Sequence, residues 1–152
     1  MTELIQILTA TVGSLGFGLL FNIRGKRLIA VAVGGGVGWA LYLMFFALTE
    51  SLGFSYFLVS IMVSLYSEVM ARIYKAPAII FISPSLIPLV PGASLYYTMS
   101  HALSSNSESF LSSALTTITA AAALSVGIIV ATILTKLITK LYGKILTRAK
   151  EK

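Results

Sequence analysis

Glu68 and Arg72 stand one helical turn apart in an otherwise apolar stretch. A carboxylate there suits an ammonium group or a transported proton. A guanidinium suits a substrate carboxylate, because its fork binds two oxygens at once. Ser60, Ser64, Ser67 and Ala71 accompany them at spacings of three and four, which places all of them near one face of a helix. Lys75 lies seven residues beyond Glu68, about 10 Å along a helix axis. With Lys75 at the membrane interface, Glu68 falls in the inner half of the bilayer. A charge at the bilayer centre costs at least ~2.5 kcal/mol. Two readings follow. Glu68 precedes Arg72 in the order that favours an ion pair, so the two form a structural pair or snorkel to the interface. Alternatively, they line a hydrophilic pathway.

The second constellation runs from Ile82 to Ser94. Pro84, Pro88 and Pro91 fall within eight residues. Each lacks an amide donor and disfavours helix in the residue before it. The segment is nevertheless too apolar for an exposed loop. Irregular backbone at membrane depth persists where it is buried in protein or faces a water-filled cavity. Transporters use such broken helices to hold substrate. On that reading Gly92 starts a second half-helix, and Ser83, Ser85 and Ser94 supply hydroxyls. A proline-kinked helix without a ligand is the plain alternative. Tyr96 and Tyr97 fit either the pathway or an interfacial aromatic belt.

Other chemistry is excluded. The chain has no Cys, so disulfides and thiolate chemistry are absent. It has no Asp, and His101 is its only histidine, which removes a multi-His metal site. Ser94 and His101 lack a general-base partner, and Gly92-Ala93-Ser94-Leu95 lacks the second glycine of a nucleophile elbow. No enzyme, cofactor or metal is expected.

The elements that must position these residues are membrane spans. Of the 152 residues, 57% are hydrophobic and 11% charged, against about 25% charged in soluble domains. The mean hydropathy is +0.95. Five spans of roughly 20 residues would use about 100 of them. The spans read 4–23, 28–49, 54–73, 78–99 and 111–137, with a tail at 138–152, and form one all-α transmembrane domain. The first has no positively charged leader, so it reads as a retained span. With five spans, all eleven Lys and Arg residues fall on one side. The positive-inside rule then places the N-terminus outside and the C-terminus in the cytoplasm. That rule also accounts for the net charge of +6 without a nucleic-acid partner.

Lys136, Lys140, Lys144 and Arg148 recur every four residues beside an apolar row of Leu137, Leu141 and Ile145. They read as a helix leaving the bilayer with its basic face toward lipid headgroups, or as a docking site for a partner. Ala30, Gly34 and Gly38 form a small-residue row in span two, as do Ala123, Gly127 and Ala131 in span five. Such rows let helices approach closely, within one chain or between subunits.

Several stretches together resemble the threonine/serine exporter family. They are Ser67-Glu68-Val69-Met70-Ala71-Arg72-Ile73-Tyr74-Lys75-Ala76-Pro77, Ile87-Pro88-Leu89-Val90-Pro91-Gly92 and Leu95-Tyr96-Tyr97-Thr98-Met99. Phe17-Gly18-Leu19-Leu20-Phe21-Asn22 and Gly38-Trp39 match as well. The resemblance implies a bacterial or fungal exporter of small polar metabolites: threonine and serine, or short dicarboxylates such as succinate in the split type. It implies a small C-terminal-half subunit of the bacterial inner membrane, working with a second membrane subunit that carries a cytoplasmic N-terminal domain. It also carries roles onto Glu68, Arg72, Pro88, Pro91 and Gly92. This chain departs from the family pattern at Ser83-Pro84-Ser85 and at Ala93-Ser94. The expected substrate pathway comprises Ser64, Glu68, Arg72, Ser83, Ser85, Pro88, Pro91, Gly92, Ser94 and Tyr96. The rival readings are a non-transporting scaffold or regulatory subunit and a self-sufficient homo-oligomeric channel.

Overall fold

The computed structural model describes residues 2–104 and 107–150, with side chains through Leu141. Ser105, Asn106, Glu151 and Lys152 lie outside the described residues, and Lys144, Ile145 and Arg148 lie outside the described side chains. The helices are α1 (Thr2–Leu20), α2 (Lys26–Thr49), α3 (Leu52–Ile73), α4 (Ile79–Leu86), α5 (Gly92–Leu103) and α6 (Ser107–Lys150). A 3-10 turn, Ile87–Leu89, joins α4 to α5. Among the described residues, four helices are long and apolar enough to cross a membrane, and the pair α4–α5, bent by 52°, makes a fifth if it is one span. The fold is all-α and membrane-spanning. Part of the polar link before α6 is helical, since Ser107 and Glu108 open that helix. Glu108 in the first turn complements the helix dipole.

Local sequence explains the helix ends. After α1, Asn22 takes a left-handed φ of 58°. The amide of Ile23 then reaches the carbonyl of Gly18 at 2.9 Å, and that of Asn22 reaches Leu19 at 2.9 Å. Lys75, at φ 47°, does the same for α3, with Ala76 donating to Ala71 at 2.9 Å. Both are Schellman stops, which satisfy terminal carbonyls that no later turn can reach.

Contacts between helices give their directions. Along α1, Gln6, Ser14 and Gly18 meet Trp39, Gly35 and Val31 of α2 in turn, so the pair is antiparallel. Tyr66 donates to the carbonyl of Ala30 at 2.8 Å, and Arg27 donates to that of Tyr74 at 3.2 Å, so α2 and α3 are antiparallel too. Ser60 meets Gly127 and, further along both helices, Arg72 meets Thr139. Helices α3 and α6 therefore run parallel. That is possible only if α4 and α5 together return the chain to the other end. The broken pair is one crossing and not a re-entrant loop.

The interior mixes serine hydroxyls with apolar side chains, since Phe81, Leu89, Val31 and Val59 are fully buried as well. Ser14, Ser55, Ser60, Ser64, Ser67 and Ser85 are fully buried, while Leu4, Leu8, Val12, Ile29 and Leu48 are exposed. Lipid tails are as apolar as leucine, so large side chains gain little by turning inward. Close approach decides the packing instead. A Cβ added at Gly34 would lie 2.6 Å from Ser85 Oγ and 2.9 Å from Tyr66 Cε1. One added at Gly127 would collide with Ser60 Oγ and sit 2.7 Å from the Phe57 carbonyl. The Gly34 and Gly127 rows thus serve packing within the chain.

Candidate functional site

The break in the fourth crossing begins at Pro84, which is buried inside α4. Pro88 lies within the 3-10 turn, Pro91 precedes α5, and Gly92 is the first residue of α5. Val90 is extended, with ψ 130°. The chain kinks because three successive turns each lack a donor.

A cleft of about 350 Å³ opens against this break. Gln6, Thr9 and Phe17 of α1 line it, with Trp39 of α2 and Ile87 and Pro88 of the turn. Trp39 Nε1 donates to Gln6 Oε1 at 3.3 Å. The lining has no charged side chain. It offers an amide and a hydroxyl beside an apolar wall, the usual makeup of a small-molecule site, and the indole N–H holds the Gln6 amide in place.

Glu68 and Arg72 lie elsewhere. They line a second cavity, also about 350 Å³, with Thr135, Lys136, Thr139 and Lys140 of α6. The two cavities share no lining residue. Arg72 Nη2 donates to Thr139 Oγ1 at 2.6 Å, and no ion pair joins Arg72 to Glu68.

The expected pathway residues therefore divide among several places. Pro88 faces the first cleft. Ser85 is buried and donates to the Val31 carbonyl at 3.2 Å, tying α4 to α2. Ser64 is fully buried, and its hydroxyl, like those of Ser14 and Ser67, has no hydrogen-bond partner among the described residues. Ser83 lines a small apolar cavity with Phe21, Ile79 and Ile80. Ser94 is half-buried, and its carbonyl accepts from Thr98 Oγ1 at 2.8 Å. Tyr96 is 69% exposed and packs edge-on against Tyr97, 5.6 Å between centroids. Gln6 and Thr9 were not expected in a site. Their signal was present as two polar residues three apart in an apolar span. Thr135 and Thr139 carried a similar signal, four apart.

Residues 6–134 match the family described as threonine/serine exporter, ThrE. The chain belongs to this family. No curated protein and no solved structure matches it. Family membership makes the chain a multi-pass membrane protein of the exporter type, and the motifs from Ser67 to Met99 lie within the matched stretch. Of the stretches quoted above, 67–77 covers the end of α3 and the turn after it, and 87–92 falls in the broken crossing.

Proposed function

We propose that the chain is one membrane subunit of a two-component secondary exporter of small polar metabolites. Its substrates are threonine and serine or short dicarboxylates such as succinate. The observation that carries this reading is the proline break with its uncharged polar cleft. A scaffold has no need of a 52° bend at membrane depth, whereas a transporter gains a binding site where backbone leaves the helix. The cleft beside Pro88 is the substrate seat, with Gln6 and Thr9 supplying hydrogen bonds and Trp39 fixing the Gln6 amide.

The basic end faces the cytoplasm of a bacterial inner membrane, with the N-terminus outside. The partner is a second membrane subunit with a cytoplasmic N-terminal domain. An odd number of crossings lets the two halves sit inverted relative to one another, as in many secondary transporters. An ion or substrate gradient drives export.

The experiment is efflux of labelled threonine, serine and succinate from loaded native cells, with the gene deleted and then restored. Slower loss of one compound on deletion, recovered on restoration, identifies the substrate. If none responds while the protein is present in the membrane, the exporter reading fails for these substrates.

A further inference from the structure

The cavity between α3 and α6 has a charge imbalance that the transport cleft does not share. Three cations, Arg72, Lys136 and Lys140, line it against one carboxylate, Glu68. Arg72 is held by Thr139. Among the described residues, Glu68, Lys136 and Lys140 have no hydrogen-bond or ion-pair partner. Like charges gathered at a membrane boundary repel, and the penalty grows as water is displaced. Such a cluster is stable where an anion completes it.

Depth identifies the anion. The parallel register of α3 and α6 sets Lys136 and Lys140 level with the last turn of α3, which ends at Ile73. Arg27 reaches the Tyr74 carbonyl at the same end, and Arg24, Lys26 and Lys75 cluster there. This is headgroup level. Ile133 and Leu137 precede Lys136 and Lys140 by three residues, so they share a helix face. Both are exposed, at 51% and 53%. An apolar strip therefore runs on beneath the ammonium groups toward the bilayer interior.

We infer that this cavity is a binding site for an anionic phospholipid, with the phosphate held by Arg72, Lys136 and Lys140 and an acyl chain along Ile133 and Leu137. Basic pockets between transmembrane helices on the cytoplasmic side take such headgroups. Arg72 supplies a bidentate fork for the phosphate, and the Thr139 hydroxyl fixes its direction. Glu68 lies one turn deeper and bounds the site, turning the phosphate back toward the surface. The site is separate from the cleft at Pro88, so it stands or falls independently of the exporter reading.

The test uses the whole purified chain in neutral detergent, titrated with four probes and followed by native mass spectrometry. The probes are dioctanoyl phosphatidylglycerol, dioctanoyl phosphatidylcholine, glycerol 1-phosphate and inorganic phosphate. Saturable binding of phosphatidylglycerol alone is expected. Each cation near the surface contributes roughly fivefold in affinity, so R72Q/K136Q/K140Q loses roughly a hundredfold. The single variant K140Q, which leaves Arg72–Thr139 intact, loses roughly fivefold. E68Q binds the lipid at least as well as the unaltered chain. The proposal is overturned if the triple variant, with its helical circular dichroism intact, retains the lipid. It is overturned equally if phosphatidylcholine binds as well, or if either free phosphate competes at the lipid's own concentration.

Discussion

At the residue scale, the value of a glycine depends on what its missing Cβ would strike. At Gly127 a Cβ meets the Phe57 carbonyl, which is backbone and has no alternative rotamer. Gly127→Ala is expected to push α6 off α3 and cost about 1–3 kcal/mol, the usual penalty of overpacking. At Gly16 nothing lies within 4 Å. Gly16→Ala should leave stability unchanged or raise it by about 0.5–1 kcal/mol through helix propensity. Thermal unfolding of the two variants in one detergent decides the contrast, and equal behaviour would mean that α3 and α6 do not pack at this point. In the cleft, Trp39→Phe keeps an aromatic side chain and removes the donor that fixes the Gln6 amide. An unanchored Gln6 weakens its own bond to the substrate, and one net hydrogen bond corresponds to about fivefold in affinity. The concentration for half-maximal efflux should rise by that factor with protein abundance unchanged.

At the element scale, the fourth crossing matters most. A proline inside a helix costs about 3 kcal/mol because it lacks a donor and clashes with the preceding turn. Replacing Pro88 and Pro91 together by Ala restores two donors and favours a straight crossing. The expected outcome is loss of efflux at normal membrane abundance, because the cleft at Pro88 closes or shifts. Unimpaired efflux would place the substrate elsewhere. Ser85→Ala probes the same element from its packed side. It removes the bond to Val31 but keeps the Cβ beside Gly34. Interhelical hydrogen bonds in membranes average about 0.6 kcal/mol, so a destabilisation of that size is expected, measured in the same unfolding assay.

At the scale of the whole molecule, helix directions sort the charges. Arg24, Lys26, Arg27, Arg72, Lys75, Lys136 and Lys140 collect at one end of the bundle, and Glu3, Glu50 and Glu108 at the other. The chain contains no Cys, so single-cysteine variants report without background. Intact cells treated with an impermeant maleimide should label Glu50→Cys and Glu108→Cys, whereas Lys26→Cys should react only after permeabilisation. The reverse pattern would invert the topology and remove the basis for an inverted partner.

The sequence by itself determined the number of crossings, the break in the fourth and the segregation of charge. These depend on composition over a window, on proline's missing donor and on counting along the chain, all of which are local. It also marked Glu68 and Arg72 as unusual, but it could not choose their partners. Only the tertiary structure decided that Arg72 reaches Thr139, 67 residues away, and that the cleft at Pro88 is completed by Gln6, Thr9 and Trp39. The physical reason lies in how the helices pack. A helix presents side chains in every direction, and in lipid no apolar stripe dictates which face turns inward. Rotation and pairing are set by where small residues permit contact, as Gly34 does for Ser85 and Gly127 for Ser60. Those contacts join residues far apart in the chain, and they assign each polar group to its cavity.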